Sequence, residues 1–432
     1  MRKSIAIAVI GAVAVAGCGT KSSAPPTSSS SASTAAGSSQ QLGQGVTATT
    51  IRVGITYPDL AAIRQTINVN AGNYQVAYTA VIDQINSQGG INGRKIVPYF
   101  SAVNPLGTAP AAESCAQLTE DDKVFVEVGF LQAADVLCYV ATHDTPIVGQ
   151  SLTAQQQAQA KATWFNFGLA PNEVVPKELS SFVRLGVFSG HKVAVVGQSA
   201  DQAEMNVVLA QLKSLGVNVV QSAINDALIT DTVALNAQYA LIAQKFSAAG
   251  ANVVVAVGTA GEQWPDALQI NQSSYLPRLV ATDYNDLDAY VSSKTGFSQA
   301  VLKNAITASG SPSNAAEWVD PAMQKCVALV QAAEPNTVIN SPVNATSSTP
   351  VTYTAPITAC QLIPMLVDIL KAAGPTLNNA SFLKGGESLT NFTIPGSGGT
   401  LHFGPGHHDD GPVVIYNWDA STSKLVSQAS GS

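Results

Sequence analysis

Residues 191–220 read HKVAVVGQSADQAEMNVVLAQLKSLGVNVV, and this stretch decides the fold. Residues 192–197 are a compact apolar run of strand length. Met205, Val208, Leu209 and Leu212 then recur at the spacing of one helix face, and Gly216 stops that helix before a second apolar run at residues 217–220. A strand, an amphipathic helix and a strand in so short a span predict a βαβ unit, which needs a parallel sheet covered by helices.

The rhythm extends in both directions. Downstream, Leu235, Tyr239, Ile242 and Phe246 form another apolar stripe, closed by Gly250. Residues 253–257 are an unbroken apolar run suited to the middle of a parallel sheet, and residues 278–281 supply a further strand. Upstream, residues 51–55 predict a strand followed by a helical face of Tyr74, Ala77, Tyr78, Val81, Ile82 and Ile85, ended by Gly89-Gly90. Residues 95–100, 124–128 and 147–148 predict more strands. Cys115 and Leu118 lie on a helical stretch between the first two of these, and a helix is expected across residues 133–142. Two successive series predict two doubly wound lobes.

The tail is less regular. Residues 316–333 and 357–373 predict helices, with Pro364 marking a kink or a late start in the second. The Pro/Ser/Thr/Asn-rich stretch 334–356 between them is a long loop, either functional or mobile. Residues 400–403 and 413–418 are expected to form a hairpin around residues 404–411.

The N-terminus carries Met1-Arg2-Lys3, an apolar run over residues 5–15, and Val15-Ala16-Gly17-Cys18. A charged start, a short apolar core and small residues before a cut site make a secretory signal, the run being shorter than the roughly 20 residues a bilayer needs. Its end resembles a bacterial lipobox. That resemblance implies a signal peptide over residues 1–18, a lipidated Cys18, and an extracytoplasmic protein anchored to the outer face of a bacterial cell membrane. Residues 19–47 are rich in Ser, Ala, Thr, Gly, Pro and Gln and have little to bury, which predicts a flexible tether.

The remaining chain is long enough for two domains, and 46% hydrophobic residues can fill both. No second segment reads as long enough to cross a membrane, so the body is expected to be soluble. Charged residues make up 11% with net charge -7 and no basic stripe, which leaves no electrostatic footprint for nucleic acid. Beyond Cys18 there are Cys115, Cys138, Cys326 and Cys360, an even number in an exported chain, which predicts disulfides. Of the three pairings, the sequence-local one is expected: Cys115–Cys138 and Cys326–Cys360. A metal site is the competing reading, but no C-x-x-C or Cys/His cluster occurs, so no metal and no cofactor are expected.

The stretch Ile85-Asn86-Ser87-Gln88-Gly89-Gly90-Ile91-Asn92-Gly93-Arg94-Lys95-Ile96 resembles a hallmark of type I periplasmic binding proteins of the branched-chain amino-acid (Leu/Ile/Val) kind. The resemblance continues through the early Cys pair, the strand and loop at residues 126–130 and Thr145-Pro146-Ile147-Val148. It ends at Gly399-Thr400-Leu401-His402-Phe403-Gly404-Pro405-Gly406-His407, covering most of residues 50–418 in order. It implies an α/β fold of two doubly wound three-layer α/β/α lobes joined by a three-strand hinge, with ligand held in the cleft between them. The lobes are expected at residues 48–168 with 308–385, and 169–307 with 386–425.

Departures from the family pattern bear on the ligand. The small hydroxyl residues that hold an amino acid's carboxylate are replaced by Gly129-Phe130-Leu131-Gln132-Ala133-Ala134-Asp135. Phe167-Gly168-Leu169-Ala170-Pro171 at the first crossover lacks an acid for the amino group, and Gln198-Ser199-Ala200-Asp201 stands where Tyr-Gly is common. An unpaired buried charge is costly, so a larger, less charged or amide-bearing solute is expected rather than a simple amino acid.

Strand-end loops supply the candidate ligand contacts: Tyr57, Phe130, Gln132, Gln150, Ser151, Gln198, Thr259, Glu262, Trp264, Asp283 and Tyr284. Each has a structural alternative, Trp264 as a packing residue and Glu262 as a helix cap among them. Gly406-His407-His408-Asp409-Asp410 reads as a solvated turn rather than a metal cluster. Neither a G-x-G-x-x-G fingerprint nor a G-x-S-x-G elbow nor H-E-x-x-H occurs, which leaves an extracellular hydrolase without support. The expectation is therefore a monomeric, non-enzymatic solute-binding lipoprotein that delivers a small polar solute to an ABC-type permease. The alternative is a ligand-sensing or envelope-interaction receptor on the same fold with no permease.

Overall fold

Nine residues from Thr50 to Pro58 form β1, the strand around which the first sheet is built. The structure is a computed structural model that describes residues 41–63, 70–104, 109–129, 135–169, 171–292, 296–343, 349–404 and 406–428. Cys18 and the signal peptide lie outside the described residues, as does most of the expected tether. After β1 come α1 (Leu60–Ile63), α2 (Tyr74–Ser87), β2 (Lys95–Val103), α3 (Ala109–Ala116), β3 (Val126–Gly129), β4 (Ile147–Val148), α4 (Ala154–Gln157) and β5 (Trp164–Phe165). The five strands pair in parallel in the order β2-β1-β3-β4-β5.

The second series runs α5 (Pro171–Arg184), β6 (Val193–Gln198), α6 (Gln202–Ser214), β7 (Val219–Asn225), α7 (Thr232–Ala248), β8 (Val253–Ala256), α8 (Ala260–Ile270), β9 (Arg278–Ala281), α9 (Tyr284–Val291) and β10 (Ile306–Ser309). Then follow α10 (Asn314–Trp318), α11 (Pro321–Ala333), α12 (Thr354–Ala373), α13 (Asn379–Glu387), β11 (Val414–Asp419) and β12 (Lys424–Ser427). The second sheet has the order β12-β11-β10-β9-β8-β6-β7, with β11 and β12 antiparallel.

The apolar runs become strands because both faces of these sheets are covered. All four residues of β8 and all six of β6 are buried, as a helix-sheathed parallel sheet requires. The helical faces pack as the spacing predicts: Ala77, Tyr78, Val81 and Ile82 of α2, and Leu235, Tyr239, Ile242 and Phe246 of α7, are buried. Strands β5, β10 and β12 carry no clear sequence signal, two of them being short and the third lying at an edge.

Three segments join the lobes. The chain leaves the first sheet after β5 and returns after β10, so residues 308 and 309 belong to the second sheet. It crosses last near residues 404–413 rather than at 386, since Phe392, Ile394, Leu401 and Phe403 all pack in the first lobe's core. The expected 400–403/413–418 hairpin is therefore absent. Leu401 bridges Phe392 and Phe403 bridges Asp409, while β11 pairs with β10 and β12. Nor is the histidine stretch a solvated turn. His408 is buried and bridges Asn166 in parallel, while Trp164 Nε1 donates to the Gly406 carbonyl at 2.8 Å.

The predicted helix over residues 316–333 is two helices, because Pro321 opens α11 and Asp320 caps it by accepting from the N–H groups of Ala322 and Met323. Helix α12 neither starts late nor stops at Pro364, since it runs from Thr354 through both Pro356 and Pro364. It is the one described helix long and apolar enough to cross a membrane, but 72% of its apolar window is buried inside the protein, where it packs on α2, α11 and α13.

Both disulfides form with the sequence-local pairing, Cα–Cα 6.4 Å for Cys115–Cys138 and 5.9 Å for Cys326–Cys360. The second ties α11 to α12 across the base of the 334–353 loop. His143 lies close to Cys115 and Cys138, but the bonded sulfurs offer no thiolate to a metal.

Candidate functional site at the carboxyl edges of two sheets

In each sheet the strand order reverses once, between β1 and β3 in the first and between β6 and β8 in the second. Open parallel sheets bind ligands beyond the carboxyl ends of their strands at such switch points.

At the first switch point Thr56 lies in register with Gly129. Gly129 has φ +130, and a Cβ there would meet the Thr56 carbonyl oxygen at 2.2 Å, so only glycine lets the strands part at this place. The Thr56 hydroxyl donates to Glu127 Oε1 at 2.6 Å. Glu127 is wholly buried, and burial pushes its carboxyl up to about 8 against the opposing hydrogen bonds from Thr56. It is therefore protonated at neutral pH, a neutral polar group in the sheet.

Beside it the half-buried Tyr57 stacks on Tyr74 with centroids 5.7 Å apart, meets Phe100 edge-on at 6.4 Å, and accepts from Gln75 Nε2 at 2.6 Å. Gln150 is half-buried at the end of β4. Ser151 is buried and accepts from Asn166 Nδ2 at 3.0 Å, which fixes the first crossover to this edge. Phe130 and Gln132 lie outside the described residues.

The second edge is built differently. Gln198 ends β6 buried, its amide donating to Tyr239 Oη at 3.0 Å and to Gln263 Oε1. Trp264 is a core residue: it is 1% exposed and packs on Tyr239 and Phe246 with centroids 5.7 Å apart. Tyr284 packs on Tyr416 at 4.4 Å.

Acids and hydroxyls remain. Thr259 gives its N–H and its hydroxyl to Asp201 Oδ2 at 3.0 and 2.6 Å. The Thr282 hydroxyl accepts from the Gly258 N–H at 3.1 Å and donates to Glu204 Oε1 at 2.9 Å. Asp283 caps α9 by accepting from the Asn285 N–H at 2.7 Å, and Glu262 stands exposed in the first turn of α8.

Glu178 on α5 is wholly buried, and neither carboxyl oxygen has a hydrogen-bond partner. Burial first, then Asp283 and Glu204, push its carboxyl well above the ordinary range. Burial followed by the surrounding acids likewise raises Asp286, to about 6. Asp201, Glu204, Glu178 and Thr282 were not among the sequence candidates. A signal existed for Glu178, which occupies the buried helical stripe of Val175, Leu179 and Phe182, where a carboxyl is out of place.

Two surface cavities lie away from both edges. One of about 510 Å³ sits between α5 and Pro412-Val413, and another of about 550 Å³ between α7, α8 and residues 271–275. Neither gathers the strand-end groups.

This two-sheet architecture recurs in solved structures. A substrate-binding protein of an ABC transporter from Desulfitobacterium hafniense, in complex with Leu, matches with TM-score 0.60 at 14% identity over 88% of this chain and 99% of its own. The fold is that of type I periplasmic binding proteins. The fatty acid ABC transporter substrate-binding protein from Thermomonospora curvata matches with TM-score 0.57 at 14% identity, covering 90% and 93%. A solute-binding protein of an ABC transporter from R. palustris, in complex with 4-hydroxybenzoate, gives TM-score 0.57 at 14% identity, covering 88% and 95%. No family model and no curated protein matches the sequence.

Proposed function

We propose that this protein is an extracytoplasmic, lipid-anchored binding protein that captures a small polar solute between its lobes and delivers it to an ABC-type importer. The observation that carries this reading is the pair of switch-point edges, one aromatic and one acidic, on two sheets joined by three crossings. Such a clamp needs no catalytic group. Differential affinity of the solute for open and closed forms does the work, and ATP is spent at the importer. The solved neighbours support the role of solute carrier, and their ligands, as different as Leu and 4-hydroxybenzoate, show that the scaffold alone does not set the solute.

The contacts expected from the first edge are Tyr57 and Gln150, and those from the second Thr259, Glu262 and Asp283. Gln198, Ser151, Trp264 and Tyr284 act behind them, holding the edges in shape.

The test is mass spectrometry of small molecules released from natively purified full chain, followed by thermal unfolding with each compound added back. Stability should rise as RT ln(1 + [L]/Kd) for the true solute. A chain that releases nothing, and whose unfolding no solute displaces, overturns the proposal.

A further inference from the structure

Among the described residues no ion pair brings a cation to the acids at the second edge. Glu178, Asp201, Glu204, Asp283 and Asp286 act on one another, and no Lys, Arg or His is among the groups that perturb Glu178, Glu204 or Asp286. Among the described residues, ion pairs join Lys177 to Glu173 and four histidines to Glu120, Glu173, Glu387 and Asp410, and none reaches this cluster. Water or a Thr hydroxyl can satisfy the half-buried members. Glu178 is different, since it is wholly buried and lacks any hydrogen bond, and the Asp283 and Glu204 charges oppose its ionisation. A buried carboxyl facing other acids with no donor is costly to keep, and its retention points to a donor-rich positive guest.

The spacing says what kind of guest. These acids do not bring one oxygen each within 4.8 Å of a common set, as a metal ion would need. They are spread over α5, the turn between β6 and α6, α6 and the start of α9, which suits N–H donors distributed over several atoms.

We propose that the solute carries an organic cationic group, an amine or a guanidinium, that seats against Asp201, Glu204 and Asp283 above the buried Glu178. This rests on the solute-binding reading and names the substrate class of that site.

The experiment measures the unfolding temperature and calorimetric binding of the full chain with 1,4-diaminobutane, agmatine, leucine, benzoate, glucose and calcium chloride. Agmatine or the diamine should bind, and Glu204→Gln and Glu178→Gln should each weaken that binding about tenfold or more, the range for a charge-assisted contact. Leucine or benzoate bound in preference to both amines, or amine binding unchanged in both variants, would overturn the inference and leave solute binding standing. So would saturable binding of calcium alone. Silence from every probe, with no small molecule released from native protein, would remove the solute-binding reading itself. Circular dichroism of each variant separates lost binding from lost fold.

Discussion

The two carboxyl edges use buried acid in opposite ways. At the first, Glu127 has a donor 2.6 Å away in Thr56, sits among apolar residues and stays protonated, so its polarity is absorbed by the sheet. At the second, Glu178 has no donor, and the Asp283 and Glu204 charges oppose its ionisation. A buried carboxyl with a donor on one oxygen belongs to the fold, whereas one with a donor on neither, among its own kind, belongs to function. The lobes differ in covalent support as well, because both disulfides bind first-lobe elements to each other.

The largest expected effect separates the aromatic residues of the two edges. Trp264→Ala should cost about 3–5 kcal/mol, since it opens a cavity among Tyr239 and Phe246. Tyr57→Ala, on a half-buried ring, should cost about 1–2 kcal/mol and instead weaken solute binding. Urea unfolding and calorimetry on both variants check this; equal stability losses would erase the distinction between core and cleft aromatics.

Next come the disulfides. Losing either should cost about 3–4 kcal/mol in the chain-entropy picture, and the loss should be confined to the first lobe. Hydrogen exchange after reduction should show faster exchange in α2, α11 and α12 while β6 and β8 keep their protection. Uniform loss would mean that the lobes unfold as one unit.

Much of this contrast in fabric was legible in the sequence, and much of the site was not. Apolar runs such as VVVA at residues 253–256 are visible because helices on both faces leave polar residues no place in the strand. Cysteines 326 and 360 could be paired because both precede or follow one loop. The short strands β5 and β10 were invisible, since two to four residues carry no period. Trp264, after a strand end, offers either a cleft contact or a packing residue, and helix α8 turns it inward to pack. Glu178 was missed for the reverse reason: its position in an apolar stripe suggests packing, and only tertiary structure shows that it is buried with no donor on either carboxyl oxygen.

The third test is a pH profile at Glu127. Its folded carboxyl is raised from 4.5 to about 8, so its contribution is intact below about 4.5, is lost as pH rises through that window, and stays lost above it. Glu127→Gln, which still accepts from Thr56, should therefore match the parent near pH 4 and exceed its stability by on the order of 5 kcal/mol near pH 9. Thermal unfolding from pH 4 to 9 reads the difference directly. A constant offset would show that the carboxyl titrates in the folded protein where it does in the unfolded chain.

The smallest effect comes from a matched pair of hydroxyls. Thr56→Val removes the donor to the wholly buried Glu127, and with no water to replace it the cost should be about 1–3 kcal/mol. Thr282→Val removes a hydrogen bond to Glu204 and one from the Gly258 N–H. Glu204 is only partly buried and can turn to solvent, but the buried Gly258 N–H loses its acceptor, so the stability cost should also be about 1–3 kcal/mol. Solute binding should separate the two. Valine at 282 removes the hydroxyl that orients Glu204 and should weaken an amine-bearing probe severalfold, whereas valine at 56 should leave that affinity nearly unchanged. If Thr56→Val instead lowers probe affinity more than Thr282→Val, the acid that meets the solute is Glu127, and the roles assigned to the two edges are reversed.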